Sequence, residues 1–265
     1  MYTVETYLAQ PVVAADRRIR YGESADQFAD LYLPAGAGPH PVVLLIHGGC
    51  WQQRYDLAPL GALGADLRAA GVAVWSIEYR RLGGAGGWPA TFHDAAAAAD
   101  RLATLAESYH LDLARVAAVG HSAGGHLALW LAARHRLSSD APLFTPDPLP
   151  LRAVVALAAI GDLAAGAAEQ LCGTACRDLV AADPRNYAWA SPAALLPLGI
   201  PHHHIVGAED AIVPANYVKR FVAQAQAAGD PTTITVVPNA AHFEPVAVAT
   251  AAWLHVRRTI LQMLA

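Results

Sequence analysis

The 265-residue chain is 55% hydrophobic, enough to bury one sizeable core, and this length fits a single α/β domain over residues 1–265 better than two independent ones. Its formal charge of -4 comes from 18 basic and 22 acidic residues mixed along the chain, with no basic stripe for phosphates, which argues against a nucleic-acid partner. Met1 to Tyr7 lacks a basic region followed by an apolar one, and runs such as Val42 to Ile46 fall far short of the roughly 20 residues that span a bilayer, so no membrane segment and a cytoplasmic location are expected.

In chain order, Arg17 to Tyr21 and Phe28 to Leu33 read as an antiparallel entry to a sheet. Strands follow at Pro41 to Ile46, Val72 to Tyr79, Arg115 to Val119, Ala153 to Ala159, His202 to Val206 and Thr233 to Val237, and their continuous apolar character implies burial on both faces. Helices are expected between them at Asp56 to Ala70, Asp94 to Tyr109 with Asp94 as its cap, Gly124 to Arg136, Asn216 to Ala228 and Pro245 to Leu264. The alternation predicts an α/β fold with a mostly parallel central sheet and helices on both faces. Leu137 to Pro150 holds four prolines and reads as a surface connection. Residues 161–192 form a long Ala-rich excursion that is either a small lid or an ordinary surface segment.

Three cysteines, Cys50, Cys172 and Cys176, cannot all pair within the chain, and reduced thiols are the simplest reading. A Cys172–Cys176 disulfide is the alternative; a metal site there lacks its other ligands. His202-His203-His204 resembles a metal tract, but strand alternation turns His203 away from the other two, so no metal is expected. Gly83 to Gly87 lacks the lysine and helix of a phosphate loop and reads as a mobile connection.

The chemistry concentrates after the strands. Gly120-His121-Ser122-Ala123-Gly124 sits between the Arg115 strand and a helix, the setting in which small residues two before and two after a serine allow a sharp turn that exposes its Oγ. A serine hydroxyl needs a base, an orienting acid and donors for the oxyanion. His47-Gly48-Gly49-Cys50-Trp51, directly after the Pro41 strand, can turn backbone amides toward developing negative charge, so Gly48 and Gly49 join the amide of Ala123 as oxyanion candidates. His47 reads as a hydrogen-bonding anchor for that loop. Trp51 is either a wall of the substrate pocket or a partly buried side chain, and His121 is placed to shape the pocket. The acid and base should follow the serine in loops after later strands, which singles out Asp210 and His242. Glu209 is the rival acid; Asp162 is a weaker one that helix capping explains.

These pieces, with Asp30-Leu31-Tyr32-Leu33-Pro34, Glu78-Tyr79-Arg80, Trp88-Pro89, Ser191-Pro192 and His242-Phe243, make the chain resemble the α/β-hydrolase superfamily over nearly its whole length. Within that superfamily it is similar to hormone-sensitive-lipase-like esterases and to the kynurenine formamidase (arylformamidase) group. His-Gly-Gly-x-Trp leans toward the formamidase side, because esterases usually carry a third glycine where Cys50 stands. The resemblance implies a cofactor-free acyl-enzyme mechanism with Ser122, Asp210 and His242 as triad, acting on a small ester or formamide. Two alternatives stand beside it: a peptidase of the prolyl-oligopeptidase type, whose usual extra domain finds no room here, and a non-catalytic binding protein on the same fold. Whether the chain forms a homodimer stays open, since an exposed apolar patch is not readable from sequence.

Overall fold

A computed structural model describes residues 2–265. Eight strands form one sheet: β1 (Arg17–Arg20), β2 (Phe28–Tyr32), β3 (His40–Ile46), β4 (Ala73–Ile77), β5 (Leu111–His121), β6 (Ala153–Leu157), β7 (His202–Gly207) and β8 (Thr232–Val237). Their order is β1-β2-β4-β3-β5-β6-β7-β8, with β2 antiparallel to both neighbours and every other pairing parallel. The expected strands therefore form, β5 starting earlier than expected at Leu111.

The helices are α1 (Val4–Leu8), α2 (Gly61–Ala69), α3 (Ala90–Leu105), α4 (Ala123–Ala133), α5 (Leu163–Ala168), α6 (Ala175–Asp178), α7 (Tyr187–Ala190), α8 (Ala215–Ala227) and α9 (Ala251–Leu264). Alternation along β3 shows why the sheet is covered twice. Val42, Leu44 and Ile46 join a cluster with Phe92, Leu102, Leu127 and Phe221 of α3, α4 and α8, whereas Val43 and Leu45 join Leu63, Leu67, Trp253 and Ile260 of α2 and α9. Each such fully buried side chain contributes roughly 1.5–3 kcal/mol, so the central strands are the rigid part of the molecule. No helix among the described residues is long and apolar enough to cross a membrane.

Three local expectations change. Asp94 is not a cap: α3 starts at Ala90, and the buried Asp94 carboxylate instead accepts from the Arg80 guanidinium at 2.6 and 2.8 Å and from Gln27 Nε2 at 2.7 Å. A capping residue type has been taken up by a tertiary contact. The C-terminal helix begins at Ala251 rather than Pro245, capped by Thr250, whose hydroxyl accepts from Trp253 N at 3.1 Å. α1 was not expected; its amphipathic pattern is too short to read, and it forms because Thr3 and Thr6 close a capping box and Tyr7 buries against the fold.

The cysteines also pair differently from either expectation. Cys50 and Cys172, 122 residues apart, are joined in a disulfide, and Cys176 is a buried free thiol. Local spacing offers Cys172–Cys176, but Cys176 is buried with its thiol donating to Leu171 O at 3.4 Å, and Cys172, in a turn with φ 59°, bonds to Cys50 of the loop after β3.

The strand order places the site. The chain runs from β3 to β4 on one side, then crosses back over β3 to β5 on the other, so the loops leaving β3 and β5 diverge and open a crevice at their carboxyl ends. Both glycine-bearing motifs leave from that crevice.

Candidate active site

Ser122 follows β5 with φ 55° and ψ -117°, outside the regions a side-chain-bearing residue ordinarily occupies. Such a conformation persists only where its surroundings enforce it. Here they do. Ser122 N donates to Leu157 O at 2.8 Å, and a Cβ on Gly120 would lie 2.1 Å from Gly124 O, one on Gly124 2.2 Å from Ile46 O. Only glycines let β3, β5 and the start of α4 approach this closely. The turn lifts Ser122 into the crevice and makes Ala123 the first residue of α4, where its amide has no intrahelical acceptor.

His242 sits beyond β8 and Asp210 beyond β7. His242 Nδ1 donates to Asp210 Oδ2 at 2.7 Å, and Asp210 Oδ1 accepts from the amides of Ile212 and Val213 at 2.9 and 2.8 Å. The carboxylate is buried and held at both oxygens, which fixes the ring and leaves Nε2 as its free nitrogen. No hydrogen bond joins Nε2 to Ser122 Oγ in this structure; such contacts are often long before substrate arrives. Glu209 is exposed, and Asp162 caps α5 by accepting from Ala165 N at 3.0 Å, so neither rival acid reaches His242.

A cavity of about 200 Å³ is lined by Ser122, His242, His121, Gly48 and Gly49, together with Val4, Tyr7, Leu8, Tyr55, Ile212 and Phe243. The amides of Gly48, Gly49 and Ala123 donate to no protein acceptor among the described residues. His121 Nε2 donates to His242 O at 2.9 Å and so braces the loop that carries His242. Burial, and then the nearness of His242, push the His121 imidazole well below its ordinary range, so it is neutral at neutral pH.

Trp51 does not line the cavity. Its side chain is fully buried, edge-on to His126 at 5.2 Å, and it serves as a core anchor for the loop after β3. His126 likewise faces away, donating Nε2 to Ala190 O at 2.9 Å, and burial lowers its imidazole to about 4. The His47 anchor is elaborate: Nε2 meets Glu78 Oε1 at 2.8 Å, and Tyr79 donates its hydroxyl to His47 O at 3.0 Å. Burial opposes charge on Glu78, but His47 and Arg81 outweigh it and hold the carboxyl below its ordinary range.

No residue of 161–192 lines the cavity. The segment is bound to α4 instead, where Trp130 donates to Trp189 O at 2.9 Å, and it reaches the site only through Cys172. The wall that sequence patterns missed is α1: Tyr7 stacks on Phe243 at 5.1 Å, and Glu244 accepts from Tyr2 N at 2.7 Å and from Ala241 N at 2.9 Å, tying the segment before α1 to the His242 loop. Among the described residues no group of three or more His, Cys, Asp or Glu side chains could hold a metal ion. His202 and His204 are buried against each other, Nδ1 to Nε2 at 2.9 Å.

Comparison with solved structures finds esterases of the same fold. Esterase B from Lactobacillus rhamnosis aligns with a TM-score of 0.83 at 20% identity, covering 97% of this chain and 89% of that one. Thermogutta terrifontis esterase 2 aligns at 0.79 and 18% identity, covering 96% and 95%. An acetyl ester-xyloside bifunctional hydrolase from Caldicellulosiruptor lactoaceticus aligns at 0.77 and 19% identity, covering 96% and 97%. At these identities the likeness establishes the α/β-hydrolase fold. Comparison with curated protein sequences finds no match. The BD-FAE family model matches residues 29–224, taking in the loop after β3, Ser122 and Asp210 and well over half of the chain, so the chain belongs to the BD-FAE family.

Proposed function

We propose that the protein is a serine hydrolase that cleaves small carboxylic esters through an acyl-enzyme. One observation carries the reading: a hydrogen-bonded His242–Asp210 pair meets, in a small, mainly apolar crevice, a strained serine that lines it and a set of unpaired backbone amides. His242 Nε2 takes the Ser122 proton as Oγ attacks the acyl carbon, and Asp210 stabilises the imidazolium. The oxyanion is held by the amides of Gly48, Gly49 and Ala123. Collapse expels the alcohol, protonated by His242; a water then attacks the acyl-enzyme by the same route and frees Ser122. Nothing in these steps calls for a cofactor.

Cavity size and lining set the substrate class. About 200 Å³ lies below the roughly 300–1,000 Å³ usual for ligand sites, and Val4, Leu8, Ile212 and Phe243 offer no partner to a charged acyl group. A short apolar acyl chain fits. Cys50 in place of a third glycine favours a second reading, an arylformamide substrate, for which the same machinery would attack a formyl carbon.

Purified protein and Ser122→Ala assayed on p-nitrophenyl butyrate and N-formylkynurenine test both. The expected result is a kcat/KM on the ester at least about 10⁴-fold above Ser122→Ala and above the formamide rate. Equal rates for the two proteins on both substrates would overturn the hydrolase reading; a faster formamide reaction would put the second reading first.

A further inference from the structure

We propose that the Cys50–Cys172 disulfide is the positioning device of the oxyanion loop, so that the rate of acyl transfer, and not substrate affinity, depends on this pair being joined. The proposal rests on the acyl-transfer reading above.

The loop after β3 runs through three consecutive residues with positive φ: Gly49 at 102°, Cys50 at 53° and Trp51 at 54°. Residues with side chains rarely adopt this conformation, and one that does must be held from outside. The loop is held firmly at its two ends. His47 is fixed by Glu78 and Tyr79, while Trp51 is buried and its carbonyl accepts from Leu82 N at 2.7 Å. Between them the loop cannot use its amides for support, because free amides are what the oxyanion needs. Gly49 O does accept from Gln52 N at 2.9 Å, but that bond lies within the loop itself. The tie to a separate part of the fold at this point is the bond from Cys50 to Cys172.

Cys172 is a firm attachment. It lies in a turn with Gly173 between α5 and α6; further along the same segment Trp130 and His126 of α4 donate to Trp189 O and Ala190 O, and Leu163 N donates to Ser191 Oγ at 3.0 Å, tying the start of α5 to the end of α7. α4 also carries Ala123, the other oxyanion donor. The disulfide therefore closes a frame in which both sets of donors refer to one helix. Cys50 lines the cavity and both cysteines are half-buried, so a small thiol can reach the bond. Cys176 does not compete: its thiol is buried, donates to Leu171 O at 3.4 Å, and is pushed up to about 12 by burial, leaving almost no thiolate for exchange.

Opening the bond needs an external dithiol. One thiolate attacks a sulfur of the pair and the Cys50–Cys172 bond breaks to a mixed disulfide; the second thiol then displaces the remaining cysteine. Two electrons and two protons pass to the protein, giving two cysteine thiols and a cyclic disulfide.

The experiment compares air-oxidised enzyme with enzyme treated with dithiothreitol, the thiol state being verified by peptide mass mapping. Two rates are read: p-nitrophenyl butyrate hydrolysis and fluorophosphonate labelling of Ser122. Losing a whole oxyanion donor costs 10²–10³ in kcat, so loosening the loop should lower kcat and the labelling rate about 3- to 30-fold with KM changed less than about 2-fold. Cys172→Ser should show the same fall without reductant and no further response, Cys176→Ala should behave as wild type, and reoxidation should restore the rate. Unchanged kcat in verified reduced protein, a loss confined to KM, or a map showing Cys50 and Cys172 unpaired after oxidation would overturn the proposal. Should Cys172→Ser fail to fold, the wild-type comparison decides alone. A protein neither active nor labelled in either redox state fails the hydrolase reading itself, and this proposal with it.

Discussion

Glu78→Gln probes how the oxyanion loop is anchored. Glu78 Oε1 faces His47 Nε2 at 2.8 Å, Tyr79 N at 2.8 Å and Arg81 Nη1 at 2.7 Å, while Oε2 accepts from Leu57 N at 3.1 Å. Glutamine keeps the shape but removes the charge and turns an NH₂ toward these donors. Arg81, with its side chain 3% exposed, keeps Tyr55 O at 2.5 Å but is left with Asp26, at 3.1 Å and itself 24% exposed, as its anionic partner. Stripping a buried ion of its partner costs about 3–5 kcal/mol, and the remaining Asp26 contact puts the expected loss near 3 kcal/mol. For a chain of this size that is a fall in Tm of roughly 6–12 °C. The effect should depend on pH. The folded Glu78 carboxyl titrates below its ordinary value of 4.5, so its stabilisation is present above that value and is lost as pH falls through the lower folded one. Differential scanning calorimetry of both proteins from neutral pH downward should show the Tm gap closing below pH 4.5. A gap under about 2 °C at pH 7, against the 2–4 °C per kcal/mol that applies here, would refute the anchoring argument.

Asp210→Asn should leave Tm nearly unchanged while lowering kcat by about 10⁴, because the amide favours the wrong His242 tautomer; a loss under tenfold in steady-state kinetics would remove Asp210 from the mechanism. Gly124→Ala places a Cβ 2.2 Å from Ile46 O, a contact with backbone that cannot swing away. The cost should reach about 3 kcal/mol or more, seen as poor soluble yield or a Tm drop beyond roughly 6 °C. Across p-nitrophenyl esters, the cavity of about 200 Å³ should favour acetyl and butyryl over octanoyl, and Val4→Ala with Leu8→Ala should shift the preference toward the longer chain. An unshifted profile would mean that α1 does not bound the acyl site.

Much of this was legible because periodicity and turn chemistry are local. The apolar runs of the central strands, from Pro41 to Ala159, mark strands buried on both faces, whereas Thr233 to Val237, expected to be buried likewise, forms the edge strand β8 and is largely half-buried; Gly120 to Gly124 names a turn whose glycines turn out to be required by backbone contacts of 2.1–2.2 Å. Ser122, Asp210, His242, Gly48, Gly49, Ala123 and His121 could be picked out by position at or after a strand end; the fold puts Ser122, His242, His121, Gly48 and Gly49 in the lining of one crevice, with Asp210 hydrogen-bonded to His242 and Ala123 next to Ser122 at the start of α4. What was not legible depends on distant contacts. Cys50 and Cys172 are 122 residues apart, Asp94 looks like any capping aspartate until Arg80 and Gln27 close on it, and the five residues of α1 carry too little pattern to announce a pocket wall. Trp51 shows the same limit. An aromatic beside an oxyanion loop can face substrate or core, and only the packing against His126 decides.

The central claim is that Ser122 is a nucleophile activated by His242. Intact-mass analysis after exposure to a fluorophosphonate, followed by peptide mapping, tests it directly. One adduct per chain, located on Ser122 and formed at least about 10³-fold more slowly in a folded His242→Ala, is the expected result. No adduct, an adduct on another residue, or labelling that is indifferent to His242 would contradict it.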